Sequence, residues 1–390
     1  MSVGRTYLDW NATAPLRPEA RAAMVAALDA AGNPSSPHAE GRRARAVVED
    51  AREEVAALVG AKPAEVVFTS GATEANNAVL ACGWDGIVLT GIEHESVLAP
   101  ARKLACDGHA RVVELKAIDP RGVVEYGADL VDEAFACDGS DGGPGPFRLL
   151  SLQLANNETG VVQPLAAVAE AARAQGLKVH TDAVQAAGRI AVDFAALGVD
   201  YLSLSAHKLG GPKGVGALVV RDGARLPAFI AGGGQERRRR AGTENVPAIA
   251  GFGAAARAAA DDLASMHRVA ALRDRVEAEV KAVTPGAVVV GADAERLPNT
   301  TSIALPGANA ETLVIALDLA GVAVSAGAAC SSGKVGASHV LEAMGLEPAL
   351  ARAAIRVSLG CASSARDVAA FAEAWAQVTH HLSARQRAVA

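Results

Sequence analysis

Aromatic residues are scarce in this chain of 390 residues, because phenylalanine, tryptophan and tyrosine together make up only 3% of it. Proteins that bind single-stranded nucleic acids stack bases on such side chains, so a base-stacking surface is not expected. An excess of positive charge is also missing, since the formal net charge is −6. General nucleic-acid binding requires a basic surface, and we therefore expect no direct nucleic-acid partner.

Long apolar runs are missing as well. No stretch of about 18 apolar residues lacks both charge and glycine, so no membrane span is expected. The first residues, "MSVGRTYLDWNATAPL", lack the apolar core of a signal peptide. Cysteine occurs only five times, an odd number without close pairing, which is typical of free thiols in a reducing compartment. These features predict a cytoplasmic protein without a membrane partner.

Short apolar segments alternate with helical patterns in the N-terminal part of the chain. This alternation predicts an α/β fold whose mostly parallel sheet is covered by helices on both faces. In such folds, ligands bind at the carboxyl ends of the strands. The helix-like segments include "GATEANNAVLACG" and "PLAAVAEAARAQG", and the strand candidates are residues 65–70, 86–91, 111–116, 147–155, 178–183 and 200–208.

The pattern changes near Ala250, where an alanine-rich stretch predicts a long helix or a helix pair. The segments "GAVVVGA", "NTTSIAL" and "AIRVSLG" follow, with another helix among them, and predict a smaller α/β domain. Two domains also suit the length of the chain. The glycine- and proline-rich stretch 137–146 predicts a surface turn before a strand.

Two charged residues stand where predicted strands end. Lys208 follows the strand in "DYLSLSAHK", and a lysine in a buried crevice can lose its proton and attack a carbonyl group. Most lysines, however, are simply surface residues. Asp182 ends the strand in "KVHTDA", where a buried carboxylate needs a cationic partner such as a pyridinium nitrogen. The alternative for Asp182 is a cap of the next helix.

Other strand ends carry neutral polar groups. The amides of Ala72 and Thr73, after the turn at Gly71, predict an anion site at a helix N-terminus, or else an ordinary helix start. His94 follows another strand and could relay protons, although a lone histidine is more often structural. "QLANNETG" places the amides of Asn156 and Asn157 at a strand end, either as hydrogen-bond donors or as a turn.

A reactive thiol is predicted in "VSAGAACSSGK", where Cys330 stands among small residues. Glycines on both sides of Cys330 suit a loop that moves. The alternative is a buried turn with an inert thiol. The other cysteines, Cys82, Cys106 and Cys137, are expected to pack or to lie on the surface, and Cys361 is a rival thiol.

The set of motifs resembles the cysteine desulfurases, the NifS/IscS-like branch of the class V aminotransferase family. The resemblance covers nearly the whole chain through "FTSGATEANN", "EHESV", "NNETG", "TDAVQ", "SAHKLGGPKG", "GGGQERRRRAGT" and "SAGAACSSG". It implies the pyridoxal-phosphate-dependent fold type I. It also implies a large cofactor-binding domain over residues 15–255 and a small domain over 1–14 and 256–390, which carries the cysteine loop at about 325–339.

The resemblance also implies the roles of individual residues. Lys208 would carry pyridoxal 5′-phosphate as a Schiff base and move the substrate α-proton, Asp182 would keep the pyridine nitrogen protonated, and His94 would stack on the ring. Arg356 would pair with the carboxylate of L-cysteine, a task that suits its guanidinium fork. The other implied contacts are Ala72, Thr73, Ser205 and His207 to the phosphate, Asn157 and Gln185 to the phenolic oxygen or the substrate, and Thr243 to the phosphate of the second subunit of a homodimer.

In the implied reaction, Cys330 attacks the substrate sulfur, keeps it as a persulfide and leaves L-alanine. The sulfur would pass to an iron–sulfur scaffold or another acceptor protein, with Cys330 as a possible transient ligand of a cluster shared with the scaffold. Nitrogenase, housekeeping clusters and tRNA thiolation are all compatible acceptor pathways. The chain departs from the family pattern at Ala14, Ala206 and the extra arginines Arg238 and Arg239.

Three classes of alternative remain open at this point, and the first is another class V enzyme. A selenocysteine lyase would share every residue named above, whereas another class V aminotransferase would not need Cys330. A sulfur-carrier or metal-binding module is a different class, but the chain has no Cys-x2-Cys pair with the spacing of a structural zinc site. A nucleic-acid-binding protein built on the four-arginine run conflicts with the acidic charge.

Overall fold

The computed structural model describes residues 4–115, 118–126, 147–327 and 338–389. Its largest sheet has seven strands in the order β2-β8-β7-β6-β5-β3-β4. Strand β8 runs antiparallel to both of its neighbours, and the other neighbouring pairs are parallel. The strands of this sheet are β2 Val66–Thr69, β3 Gly86–Thr90, β4 Arg111–Leu115, β5 Arg148–Ser151, β6 Lys178–Asp182, β7 Tyr201–Ser205 and β8 Gly216–Val220.

Helices cover both faces of this sheet, as the alternation of buried residues along a strand requires. On β3, Ile87 and Leu89 pack with helices α3 and α4, whereas Val88 packs in the cluster on the opposite face. The helices around this sheet are α1 Pro18–Leu28, α2 Ala39–Leu58, α3 Ala72–Leu80, α4 Glu95–Cys106, α5 Leu165–Ala174, α6 Phe194–Leu197 and α7 Val246–Asp262.

A second sheet of four antiparallel strands has the order β12-β13-β10-β9. A short N-terminal strand, β1 Thr6–Tyr7, pairs in parallel with β11 Val322–Ala323. The strands of the second sheet are β9 Val288–Val290, β10 Thr300–Ala304, β12 Ser325–Ala326 and β13 Ala354–Ser358, and the accompanying helices are α8 Met266–Val283, α9 Ala310–Leu319, α10 His339–Ala343, α11 Pro348–Ala351 and α12 Ala365–Val389.

A separate apolar cluster lies on the second sheet and is built largely from α8, α9 and α12. Phe371 and Trp375 of α12 are fully buried in it and stack with their ring centroids 6.0 Å apart. Along the described part of the chain, no helix has the length and apolar character needed to cross a membrane.

The predicted strands and helices are present, mostly with narrower limits. The alanine-rich stretch forms a helix pair, because a 3-10 turn at Leu263–Ser265 separates α7 from α8. The antiparallel strand β8 was not predicted. The predicted turn at 137–146 lies outside the described residues. Strands β2, β3, β5, β6 and β7 share one direction, so their carboxyl ends meet at one edge of the sheet.

Candidate active site

A cavity of about 660 Å³ lies at the edge of the sheet where these strands end. This volume is within the range of small-molecule sites. Ten of the predicted site residues line this cavity, and they belong to separate elements of the fold. They are Ala72, Thr73, His94, Asn157, Asp182, Gln185, Ser205, His207, Lys208 and Arg356.

The N-terminus of α3 forms one end of the cavity. Its N-cap is Gly71, which supplies no side chain to cap the first-turn amides of Ala72 and Thr73. Strand β8 lies directly against this turn, since a Cβ atom added at Gly216 would lie 2.7 Å from Gly71 Cα. Uncapped amides at the positive end of a helix favour an anion such as a phosphate group.

Positive charge accumulates beside this helix end. His207 lies in the 3-10 turn that follows β7, and its Nδ1 lies 3.2 Å from Thr13 Oγ1. Burial, together with the charges of Lys208, Lys213 and Arg189, lowers the pKa of His207 to about 4. The imidazole is therefore neutral at pH 7, and the surrounding cations favour an anionic ligand.

Lys208 is held at the wall of the cavity by backbone carbonyl groups. Its Nζ donates hydrogen bonds to the carbonyl oxygens of Asn11 and of Ala12, the latter over 3.0 Å. Asn11 is itself buried, and its Nδ2 donates to the Asn157 carbonyl oxygen over 3.0 Å. The N-terminal segment thus fixes the amine of Lys208 at the cavity wall.

Asp182, at the end of β6, is 8% exposed and accepts two hydrogen bonds. Asn76 Nδ2 donates to Oδ2 over 2.9 Å, and the Val184 amide donates to Oδ1 over 3.0 Å. A turn rather than a helix follows Asp182, so its alternative interpretation as a helix cap is wrong. Within the described ranges Asp182 forms no ion pair, which leaves its charge for a cationic group in the cavity.

The ring of His94 has one defined acceptor nitrogen. Its Nδ1 accepts the Ser96 backbone N–H over 3.1 Å, and it lies 2.8 Å from Ser96 Oγ. Because Nδ1 is already an acceptor, Ser96 Oγ is the donor in their contact, and it accepts in turn from Asn76 Nδ2 over 2.8 Å. The neutral ring therefore carries its proton on Nε2. Asn76 links this histidine to Asp182 through one connected network.

Gln185 is oriented by a buried arginine. Arg189 Nη1 donates to the Gln185 carbonyl oxygen over 2.8 Å and also to Gln185 Oε1, while Gln185 Nε2 donates to the Asn11 carbonyl oxygen over 3.2 Å. Because the side-chain oxygen of Gln185 is occupied by Arg189, its NH2 group is the end available to an acceptor in the cavity. Burial and the charge of Arg356 lower the pKa of Arg189 to about 9.

Comparison with known proteins agrees with this geometry. The class-V aminotransferase family model matches residues 6–371. The chain belongs to this family. The cysteine desulfurase of Bradyrhizobium diazoefficiens is 42% identical over 373 residues, which are 93% of this chain and 91% of that protein. The cysteine desulfurase IscS of Dictyoglomus turgidum is 39% identical over 371 residues, with the same shares of the two chains.

Solved structures agree as well. A NifS-like protein from Rickettsia africae superposes with a TM-score of 0.85 at 32% identity, covering 96% of this chain and 99% of that one. The structure described as SspA in complex with cysteine gives a TM-score of 0.76 at 30% identity, covering 91% and 98%. These relatives confirm the predicted family, the NifS-like fold and the assignment of the chain as an enzyme of the cysteine desulfurase group.

Some positions of interest lie away from the described cavity. Thr243 is exposed and does not line it, which is compatible with the expectation that it serves a second subunit. Cys330 and Cys137 lie outside the described residues. The rival thiol Cys361 lines a smaller cavity that Lys208 also lines, and burial raises the pKa of Cys361. Asn156 is a turn residue, because its Oδ1 accepts from the amides of Glu158 and Thr159.

Sequence reasoning missed the residues that orient the family motifs. Several of these residues lie inside the quoted motifs, so their positions could have suggested that they matter. Their hydrogen-bond partners, however, come from segments that are distant in the sequence. The orienting residues are Asp9 and Asn11 in "YLDWNATAPL", Asn76 in "TSGATEANN", Glu93 and Ser96 in "EHESV", Glu158 in "NNETG", and Arg189 after "TDAVQ".

Proposed function

We propose that this enzyme removes sulfur from L-cysteine with the help of pyridoxal 5′-phosphate, leaves L-alanine, and keeps the sulfur as a persulfide on Cys330. One observation carries the proposal: the cavity that holds Lys208, Asp182, His94 and Arg356 is also lined by Gly327, three residues before Cys330. Three residues span at most about 11 Å, so the thiol is tethered within reach of this cavity.

The residues of the cavity fit pyridoxal 5′-phosphate. Lys208 would hold it covalently, Asp182 would pair with the pyridinium nitrogen, and the uncapped start of α3 would take the phosphate. The NH2 group of Gln185 would donate to the phenolic oxygen. When bound, the cofactor would act as a sink for the electron pair released at the substrate Cα.

Arg356 suits the carboxylate of the substrate. It is 4% exposed, lines the cavity and has a guanidinium group with five donors. Asn157 lies beside it, since Arg356 Nη1 donates to the Asn157 carbonyl oxygen over 3.1 Å. We propose that the two residues fix the substrate so that its Cβ–S bond faces the approaching thiolate.

Two groups can move protons in this site. The amine of Lys208 is the proposed base that takes the Cα proton, because a lysine amine is a competent base once it has lost its own proton. His94 presents Nε2–H, the nitrogen that its contacts with Ser96 leave protonated. We propose that this group delivers or receives a proton at the substrate during the departure of sulfur.

The sulfur step balances without an external oxidant. The Cys330 thiolate attacks the sulfur of L-cysteine, an S–S bond forms, and the substrate Cβ–S bond breaks. The carbon takes a proton and becomes the methyl group of L-alanine, so the carbon is reduced while sulfur is oxidised to the persulfide. A later thiol or an acceptor protein removes the outer sulfur.

Partners and location are part of the same proposal. We propose a homodimer in which Thr243 reaches the phosphate site of the second subunit; its exposure in one chain supports this. We propose an iron–sulfur scaffold or a comparable acceptor protein as the recipient, with Cys330 briefly ligating the cluster that is assembled. The free thiols Cys82, Cys106 and Cys361 are compatible with work in the reducing cytoplasm.

We also propose that the two sheets belong to two domains, 15–255 and 1–14 with 256–390. The pairing of β1 with β11 supports assignment of the N-terminus to the second domain. Residue 255 lies inside α7, so this helix would bridge the two domains.

The test uses the purified holoenzyme and its Cys330→Ala variant, with L-cysteine and a thiol reductant. Wild type is expected to release sulfide and L-alanine in equal amounts, and the variant neither, while it keeps the cofactor absorbance. Sulfide release by the variant would show that Cys330 is not the acceptor. Conversion of other amino acids with their keto-acid partners, without sulfide, would favour an aminotransferase.

A further inference from the structure

One buried carboxylate contacts both described ends of the stretch that carries Cys330. Residues 328–337 lie outside the described part, and Gly327 and Ser338 flank them. Ser338 Oγ donates to Glu158 Oε2 over 2.6 Å. A Cβ atom added at Gly327 would lie 2.4 Å from the same oxygen and 3.5 Å from Ser338 Cβ. The two ends therefore lie close to each other and to the same oxygen atom.

Glu158 is itself rigidly held. It is 3% exposed, and its backbone N–H donates to Asn156 Oδ1 over 2.8 Å in the turn after β5. Ser338 is equally buried and is the N-cap of α10, since its Oγ accepts from the Leu341 amide over 3.2 Å. Burial raises the pKa of Glu158, while the hydrogen bond from Ser338 and the nearby Arg356 act in the opposite direction. The carboxyl group is thus a fixed anchor beside the cavity.

The contact with Gly327 requires glycine. Real Cβ atoms essentially never approach another atom to less than 3.0 Å, so any side chain at residue 327 would displace the carboxyl group of Glu158 or the chain itself. Gly327 follows β12, whose Ser325 and Ala326 pair with Arg356 and Ile355 of β13. The chain therefore leaves the sheet beside the proposed substrate-binding arginine and meets Glu158 at its next residue.

We propose that Glu158 is a positioning residue that holds Gly327 and Ser338, the two points at which the Cys330 segment is attached to the described fold, and that the sulfur step at Cys330 depends on these fixed attachment points. This inference rests on the proposed function, because it assigns Glu158 to the sulfur step and not to the proton step at Cα. Nucleophilic attack depends steeply on placement, and a displacement of 1 Å can cost about 100-fold in rate.

The experiment separates the two steps in the holoenzyme. Exchange of the α-proton of L-alanine in deuterated water, followed by proton NMR, reports on Lys208 and Arg356 without any sulfur chemistry. Sulfide and L-alanine formation from L-cysteine reports on Cys330. For Glu158→Ala we expect sulfur removal to fall about 10- to 100-fold, while α-proton exchange stays within about threefold of wild type. A residue needed only for folding would lower both rates together.

Two further variants sharpen the result. Glu158→Gln keeps an acceptor for Ser338 and is expected to restore most of the sulfur removal. Gly327→Ala is expected to reproduce the defect of Glu158→Ala, and in the Glu158→Ala background it should add little, because the clash has been removed. Gly286→Ala is the matched control, since no atom lies within 4 Å of a Cβ atom at that exposed position.

Three results would overturn the inference. They are unchanged sulfur removal in Glu158→Ala, a proportional loss of both rates, and additive losses in the Glu158/Gly327 double variant. Failure of the proposed function gives a different pattern, because wild type itself would then show no Cys330-dependent sulfide formation.

Discussion

Arg356 Nη2 donates to Asp9 Oδ1 over 2.8 Å, so the proposed carboxylate-binding arginine already has a carboxylate partner. The arginine side chain is 5% exposed and that of Asp9 is 18% exposed. Nη1 is directed to the carbonyl oxygen of Asn157, whereas Nε is buried without a hydrogen-bond partner among the described residues. The ion pair orients the guanidinium group and leaves donors for a second carboxylate.

This ion pair predicts that Arg356→Lys weakens substrate binding, although the substitution keeps the positive charge at residue 356. A single ammonium group cannot satisfy Asp9 and also hold a substrate carboxylate in bidentate geometry. We expect KM for L-cysteine to rise about 10- to 100-fold, with a smaller effect on kcat. Steady-state kinetics of alanine formation measure both constants.

The control for this prediction is Arg5→Lys. Arg5 pairs with Asp318 on the surface, where the two side chains are 45% and 56% exposed. Exposed pairs contribute little, so this change should leave both constants unaltered. An unchanged KM in Arg356→Lys would contradict the assigned role of Arg356.

Gly216 of β8 packs closely against the turn at Gly71, and we predict that this packing supports the proposed phosphate site. A Cβ atom there would lie 2.6 Å from the Leu204 carbonyl oxygen and 2.7 Å from Gly71 Cα, and these backbone atoms cannot rotate away. Gly216→Ala should therefore move the start of α3 and weaken cofactor binding about tenfold. Titration of the apoprotein with pyridoxal 5′-phosphate, followed by absorbance, measures the Kd. Equal Kd values in wild type and variant would show that the turn at Gly71 does not hold the phosphate.

Glu93 is predicted to make stability fall as pH rises. Burial raises its pKa from an ordinary value of 4.5 to about 8, and the Asp182 charge adds to this effect against hydrogen bonds from Gln153 and Thr90. Between these two values the unfolded chain holds fewer protons at this site than the folded chain does. The stabilisation is therefore complete below pH 4.5 and is lost as pH rises towards about 8.

Glu93→Gln removes this titration. Its Tm relative to wild type should increase steadily between about pH 5 and pH 8, because only wild type has to release the proton. Thermal unfolding of both proteins at three pH values in that range measures the difference. Parallel Tm curves would show that the Glu93 carboxyl group titrates normally in the folded protein.

Arg238 is predicted to strain the backbone. It has a φ of +65°, in the left-handed region that favours glycine, and it follows Glu236 and Arg237 with φ of +45° and +56°. Arg238→Gly should raise the free energy of unfolding by about 1 kcal/mol. The neighbouring Arg239 has a φ of −91°, so Arg239→Gly should give no such gain. Equal effects of the two changes in urea unfolding would contradict the assignment of strain to Arg238.

The sequence alone allowed us to predict the main functional residues that line the described cavity. Lys208, Asp182, His94 and Asn157 each follow an apolar strand, and parallel strands bring such positions to one edge of a sheet. The direction of the strands can be inferred from their alternation with helices. Family resemblance added the roles, and ten predicted residues line one cavity.

The orienting residues could not be predicted in the same way, because their partners are far away in sequence. Asp9 meets Arg356 across 347 positions, and Asn76 meets Asp182 across 106. Strand β8 is continuous and apolar, so its sequence does not show that it reverses direction or that Gly216 packs on Gly71. The contact of Glu158 with Gly327 and Ser338 depends on the folded positions of both sheets.

The most direct test of the proposed function follows the sulfur atom itself. A single turnover of the holoenzyme with L-cysteine, trapped with an alkylating reagent and digested, allows mass spectrometry of the peptide that contains Cys330. We expect one additional sulfur atom on Cys330, in an amount equal to the L-alanine formed. Formation of L-alanine with the extra sulfur on Cys361, or on no cysteine at all, would contradict it.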